Sequence, residues 1–149
     1  MTYPDLADKA VIVTECLAAE GCRVMCADID GAAADAAAAA IGGGAVGHVV
    51  DVSDEAQVVG MVEACVAAFG GVDKLVANAG VVHFAPLTET TVEDFDRVVG
   101  INLRGAWLCT KHAAPKMAER GGGAIVNMSS LGGLVAAAGI AAYVMSKAG

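Results

Sequence analysis

The segment YVMSK puts a phenol at Tyr143 and an ammonium at Lys147, four residues apart. On a helix those two positions are neighbours on one face. An ammonium beside a phenol favours the phenolate and lowers a pKa that is otherwise about 10, so the pair is a candidate general acid/base. Two hydroxyls, Ser129 and Ser130, end an apolar run upstream of it. Other polar positions close apolar runs elsewhere. Asp28 ends RVMCAD, where an acidic side chain can accept both hydroxyls of an adenosine ribose and repel a 2′-phosphate; a solvated strand-end carboxylate is the plainer alternative. Asp51, followed by Val52, ends the third apolar run, and its plainer role is to cap the next helix. Asn78, Ala79 and Gly80 follow KLVA, a position where ligands collect and also an ordinary turn sequence. Asn102, in INLRG, falls in an amphipathic helical stretch, where asparagine is mildly unfavourable and asks for a polar partner.

The elements that must position these groups can be read from the apolar pattern. Strands are expected at 10–13, 23–28, 45–50, 74–78 and 124–129. Most are near-continuous apolar runs and not alternating ones, as in a parallel sheet covered on both faces. Helices lie between them. Residues 31–41 are alanine-rich, a strong helix former. Residues 54–69 put Val58, Val62, Cys65, Val66 and Phe69 on one face, with Ser53 as the expected N-cap. Thr91 with Asp94 resembles a capping box opening a helical region toward Arg120, and Pro115 predicts a bend there or a break before it. Strands alternating with helices of this length predict a doubly wound α/β sheet of about five strands in a single domain. The glycine triplets at 42–44 and 121–123 read as turns.

Composition narrows the class. The chain has 149 residues, 56% hydrophobic but only 4% aromatic, so small side chains dominate its core. A net charge of −8 argues against nucleic acid and anionic membranes as partners. Cys16, Cys22, Cys26, Cys65 and Cys109 are odd in number and lack CxxC spacing, which fits buried thiols in a reducing compartment. His48, His83 and His112 show no metal-ligand spacing, so no metal site is expected. The N-terminal MTYPDLADKA lacks the apolar stretch of a signal peptide, and the uncharged run 121–146 is interrupted by glycine, serine and asparagine. The expectation is a cytoplasmic protein without a membrane span.

Taken in order, VIVT, ADID, DV, NAG, INLRG, SS and YVMSK resemble the short-chain dehydrogenase/reductase family, from about Ala10 to the last residue. The resemblance implies a Rossmann-like fold and a nicotinamide-dependent oxidoreductase acting on a small-molecule alcohol or carbonyl, with NAD preferred to NADP. It implies that Tyr143 exchanges a proton with the substrate oxygen and that Ser130 hydrogen-bonds that oxygen. Lys147 would hold the ribose and lower the tyrosine pKa, and Asn102 would position a helix bend and a water. Asp28 would take the adenosine ribose, Asp51 with Val52 the adenine edge, and Asn78, Ala79 and Gly80 the neighbouring cofactor surface. A complete family member is expected to form homo-oligomers.

Two places depart from the family's pattern. The family carries TGxxxGxG after the first strand, whereas here Val13-Thr14 runs straight into ECLAAEG. About eleven residues, with all three phosphate-binding glycines, have no counterpart. Nine residues, 14–22, are then left to join two parallel strands. A six-residue helix covers about 9 Å against roughly 17 Å for a five-residue strand, so an extended loop closes the path and a normal crossover helix does not. The chain also stops two residues after Lys147, where the family continues. The expectation is therefore one truncated dinucleotide-binding domain over residues 1–149. Its catalytic helix would be too short to stand unaided and its fifth strand would be an uncovered edge. A non-catalytic remnant serving as a partner-binding or regulatory domain is the competing reading. A flavodoxin-like receiver domain fits the sheet but leaves Ser130, Tyr143 and Lys147 without a role.

Overall fold

A computed structural model describes residues 9–12 and 21–149. Among the described residues the element order is β1 (Ala10–Ile12), β2 (Arg23–Asp28), α1 (Gly31–Ile41), β3 (Val46–Val49), α2 (Glu55–Phe69), β4 (Lys74–Ala77), α3 (Val92–Val99), α4 (Ala106–Ala118), β5 (Ala124–Asn127) and α5 (Ala141–Ala148). Short 3-10 turns occupy Leu87–Glu89 and Leu131–Gly133, and a π-helical segment, Gly100–Gly105, joins α3 to α4.

The five strands form one parallel sheet in the order β3-β2-β1-β4-β5. This is an incomplete Rossmann-like arrangement: the chain winds one way from β1 through β2 to β3, then crosses to β4 and β5. The reversal between β1 and β4 is where such sheets open a crevice at their carboxyl ends. Ala10 pairs with Arg23 and Ile12 with Met25, so β1 and β2 are parallel neighbours. Val13 and the Thr14–Glu20 stretch lie outside the described residues, and with them the expected short crossover.

Small and medium apolar side chains fill both faces. One face packs Ala10, Ile12, Met25 and Leu75 against Val58, Met61, Val62, Cys65 and Phe69 of α2 and Leu108, Cys109, Ala113 and Met117 of α4. The other packs Val11, Val24 and Cys26 against Ala38 of α1. Burial pushes the Cys65 and Cys109 thiols up to about 11, which keeps them in the neutral form at pH 7. At the amino ends of the strands, Asp73 accepts from the Ala10 N–H at 2.8 Å and from Arg120 Nε at 2.9 Å, tying β1, the turn before β4 and the end of α4 together.

Several local expectations need correction. The N-cap of α2 is Asp54, which accepts from the Ala56 and Gln57 N–H groups, not Ser53. Ser53 is instead held by Asp51, whose Oδ1 takes both its N–H and its hydroxyl, so Asp51 shapes the turn before the helix and does not cap it. Pro115 sits inside α4, which runs on to Ala118 without a break before the proline. Thr91 does cap α3, accepting from the Asp94 N–H. The last helix is formed despite having only eight residues, because its inner face is buried at Ala142 and Ser146 and Ser129 Oγ caps the Lys147 carbonyl. Strand β5 is at the sheet edge, with Val126 half exposed.

Candidate active site

The chemistry-bearing residues fall into two neighbouring groups. The first surrounds a cavity of about 430 Å³ at the carboxyl ends of β1, β2 and β4. Asp28, Asp51, Val52, Asn78, Ala79 and Gly80 all line it. Its floor is apolar, made by Ile12, Met61, Leu75 and Cys109 from the sheet and helices beneath. Asp28 reaches the rim because β2 ends there, and its Oδ1 accepts from the Asp30 N–H at 2.9 Å. Asp30 in turn caps α1 by accepting from the Ala32 and Ala33 N–H groups.

The second group lies beyond Gly80. Tyr143 and Lys147 sit on α5, one turn apart, with Lys147 Nζ 5.9 Å from the centre of the Tyr143 ring. Ser130 starts the 3-10 turn after β5, and its Oγ accepts from the Gly132 N–H at 3.1 Å, which leaves the hydroxyl proton free to donate. Gly132 lies between the two hydroxyls: a Cβ built there would stand 3.4 Å from the Tyr143 ring and 3.6 Å from Ser130 Oγ. Lys147 Nζ donates to the Met128 carbonyl at 2.6 Å, and an ammonium has two further protons to give.

Asn102 is 5% exposed and lies in the π-helical segment. Such segments are rare and occur often at functional sites. Its Oδ1 accepts from the Val81 N–H at 2.8 Å, and its Nδ2 donates to the Val81 carbonyl at 2.9 Å and to Ser146 Oγ at 3.0 Å. Ser146 passes the connection on by donating to the Tyr143 carbonyl at 2.7 Å. Asn102 therefore ties the loop after Gly80 to the helix that carries Tyr143 and Lys147.

Gly80 is where the two groups meet. A Cβ there would stand 3.4 Å from Asn102 Oδ1 and 3.6 Å from Lys147 Nζ, while the residue itself lines the cavity. Ser146 and Asp30 were not singled out from the sequence. Ser146 had a signal, a hydroxyl three residues after Tyr143 on the helix face that packs inward. Asp30 had one too, an acidic residue just before an alanine helix. Among the described residues no cluster of His, Cys, Asp or Glu is arranged to hold a metal ion, and no helix is long and apolar enough to cross a membrane.

The short chain dehydrogenase family matches residues 11–149. The chain is 39% identical over 140 residues to a D-threitol dehydrogenase of Mycolicibacterium smegmatis, covering 92% of this chain and 54% of that protein. It is 42% identical over 135 residues to a galactitol 2-dehydrogenase of Agrobacterium fabrum, with 90% and 53% covered. It is also 41% identical over 127 residues to a protein of Xanthobacter autotrophicus named an inactive 2-(S)-hydroxypropyl-CoM dehydrogenase, with 85% and 55% covered. The chain thus spans about half the length of the curated relatives it matches.

Proposed function

The chain belongs to the short-chain dehydrogenase/reductase family, and from that premise we propose that it is part of an NAD(H)-dependent oxidoreductase interconverting a small-molecule alcohol and its carbonyl. The observation that carries this is the placement of Tyr143 and Lys147 on one helix beside Ser130, meeting the Asp28 cavity at Gly80. The adenosine half of the cofactor fits the cavity: an apolar floor, with carboxylates at the rim. NAD, when bound, supplies the hydride acceptor or donor.

The chain's own residues supply proton chemistry and positioning. Tyr143 takes the proton from the alcohol oxygen during oxidation and returns it to the carbonyl oxygen during reduction. Ser130, with its Oγ acceptor site already used by Gly132, donates its proton to that same oxygen and fixes its place. Lys147 sets its ammonium near the phenol and toward Gly80, where the ribose next to the reacting ring is expected. Both side-chain protons of Asn102 are spent on Val81 and Ser146, so the amide has none left to donate to a water. Asp28 favours NAD, since a 2′-phosphate would face its charge. The protein acts away from nucleic acid and membranes, in the cytoplasm, and its intact form assembles into homo-oligomers.

A second reading has its own observation. No glycine occurs from Val13 to Glu20, so the backbone cradle for a pyrophosphate has no sequence to form it, and one relative is itself named inactive. Under that reading the chain is a non-catalytic family member that binds a partner or regulates one. Turnover of an alcohol panel by the intact protein and its Tyr143→Phe variant separates the two. The catalytic reading expects measurable turnover that falls about 10²-fold or more in the variant, with cofactor affinity kept. Equal rates for both proteins would remove Tyr143 from the chemistry.

A further inference from the structure

We propose that the cavity of this chain takes an uncharged purine nucleoside, adenosine above all, in preference to its phosphorylated forms, the dinucleotide included. The inference rests on reading the cavity as an adenosine subsite and goes beyond it in stating which ligand the subsite selects.

The groups that recognise a nucleoside are in place. Asp28 is exposed at the rim; its Oδ1 accepts from Asp30 and its Oδ2 has no partner among the described residues, which leaves an acceptor for a pair of vicinal hydroxyls. Asp51 commits Oδ1 to Ser53 and leaves Oδ2 open, and the adjacent Val52 N–H makes no hydrogen bond among the described residues. An acceptor beside a donor complements the edge of adenine, which offers an amino donor next to a ring-nitrogen acceptor. The apolar floor suits a flat heterocycle, and 430 Å³ falls in the range of small-molecule pockets.

Among the described residues the groups that recognise a phosphate are not. None of the described residues lining the cavity is cationic. The amino ends of α1 and α2, which line it through Ala33 and Met61, are closed by their own aspartates: Asp30 takes the Ala32 and Ala33 N–H groups, and Asp54 takes those of Ala56 and Gln57. A helix end whose N–H groups are capped by a carboxylate no longer offers them to an anion. The stretch from Val13 to Glu20, where the family places its glycine turn, contains no glycine, lysine or arginine and two glutamates. Each phosphate added to the nucleoside therefore enters a field set by Asp28, Asp30 and Asp51, with no cation among the described lining residues to offset it. The selectivity is electrostatic, so salt must weaken it.

Calorimetry on the 149-residue chain tests this with adenosine, AMP and NAD, at low and at high salt. Adenosine is expected to bind at least about tenfold tighter than AMP or NAD at low salt, with the gap narrowing as salt rises. Inosine, which lacks the amino group, and 2′-deoxyadenosine, which lacks one hydroxyl, are expected to bind more weakly than adenosine. Asp28→Asn, checked for an unchanged circular dichroism spectrum, is expected to bring adenosine and AMP closer together. NAD binding as tightly as adenosine would overturn the preference while leaving the adenosine subsite standing. Absence of binding by all three ligands would overturn the subsite reading, and the proposal with it.

Discussion

Replacing Asn102 by alanine removes a side chain that makes three hydrogen bonds from a nearly closed position. Two of them hold the backbone of Val81 and one holds Ser146 Oγ. At roughly 1 kcal/mol net per bond the direct loss is about 3 kcal/mol. Val81 is partly exposed, so water can re-satisfy some of its freed N–H and C=O, and Ser146 keeps its bond to the Tyr143 carbonyl. The expected loss for Asn102→Ala is therefore about 2–3 kcal/mol, or roughly 4–12 °C in the melting midpoint of a chain this long. Asn102→Asp is the sharper test because it keeps shape and the acceptor to Val81 N–H while placing a carboxylate oxygen against the Val81 carbonyl. That contact disfavours the ionised form, so the new carboxyl's pKa rises in the fold. A raised folded pKa means its favourable contribution is full below the unfolded value near 3.9 and lost as pH rises through the folded value. The aspartate variant is thus expected to approach wild-type stability in mild acid and to fall to or below the alanine variant at neutral pH. Urea unfolding followed by far-ultraviolet circular dichroism and by the single tryptophan, Trp107, measures both variants at each pH. Changes within about 0.5 kcal/mol of wild type, or an aspartate variant without pH dependence, would refute the three-bond lock.

Two further outcomes are expected. With the intact protein, kcat/KM for NAD should exceed that for NADP, because Asp28 lies at the rim of the cavity with Ile29 beside it and no cation among the described lining residues to receive a 2′-phosphate; equal use of both would overturn the proposed role of Asp28. At the other end of the sheet, burial alone would raise the Asp73 carboxyl, but hydrogen bonds from Arg120 and the Ala10 N–H and the charges of Arg120 and Lys9 hold it below the ordinary 3.8. A depressed folded pKa contributes stability that is full above the ordinary value and lost as pH falls through the folded one. Asp73→Ala should leave the buried Ala10 N–H unsatisfied, at a cost of about 1–3 kcal/mol at neutral pH, and should flatten the acid limb of the stability profile. An unchanged acid limb would show that Asp73 contributes nothing to it.

What could be read in the sequence is what local pattern controls. The near-continuous apolar runs fall on parallel strands, and α1 spans the alanine tract as expected. The cap of α2 was misplaced by one residue because three polar residues in a row can each start a helix; Asp51 decides between them by engaging Ser53 in a turn, leaving Asp54 to cap. The π segment had no local signature, since an i→i+5 ladder uses the same residues as an α-helix. Its cause is tertiary: Asn102 reaches back to Val81, twenty-one residues earlier, and forward to Ser146. The sequence did mark Asn102 as a residue in need of a partner but could not name that partner.

The two groups of candidate site residues depend on different things. The Tyr143–Lys147 group is set by packing: Ser146 and Asn102 hold α5 against the π segment, and Tyr143 and Lys147 follow from the helix period. The group around the cavity is set by loops at strand ends, where Asp28, Asp51 and Asn78 need only the strand lengths and the sheet order to converge. Pyrophosphate binding needs something neither supplies, a run of backbone N–H groups free of side chains, and that demand falls on the one stretch, 13–20, whose residues are alanine, leucine, cysteine, threonine, valine and glutamate. The link between Asn102 and α5 runs through Ser146 and does not involve that stretch. The cavity and the tyrosine–lysine helix are therefore both formed by the described residues alone.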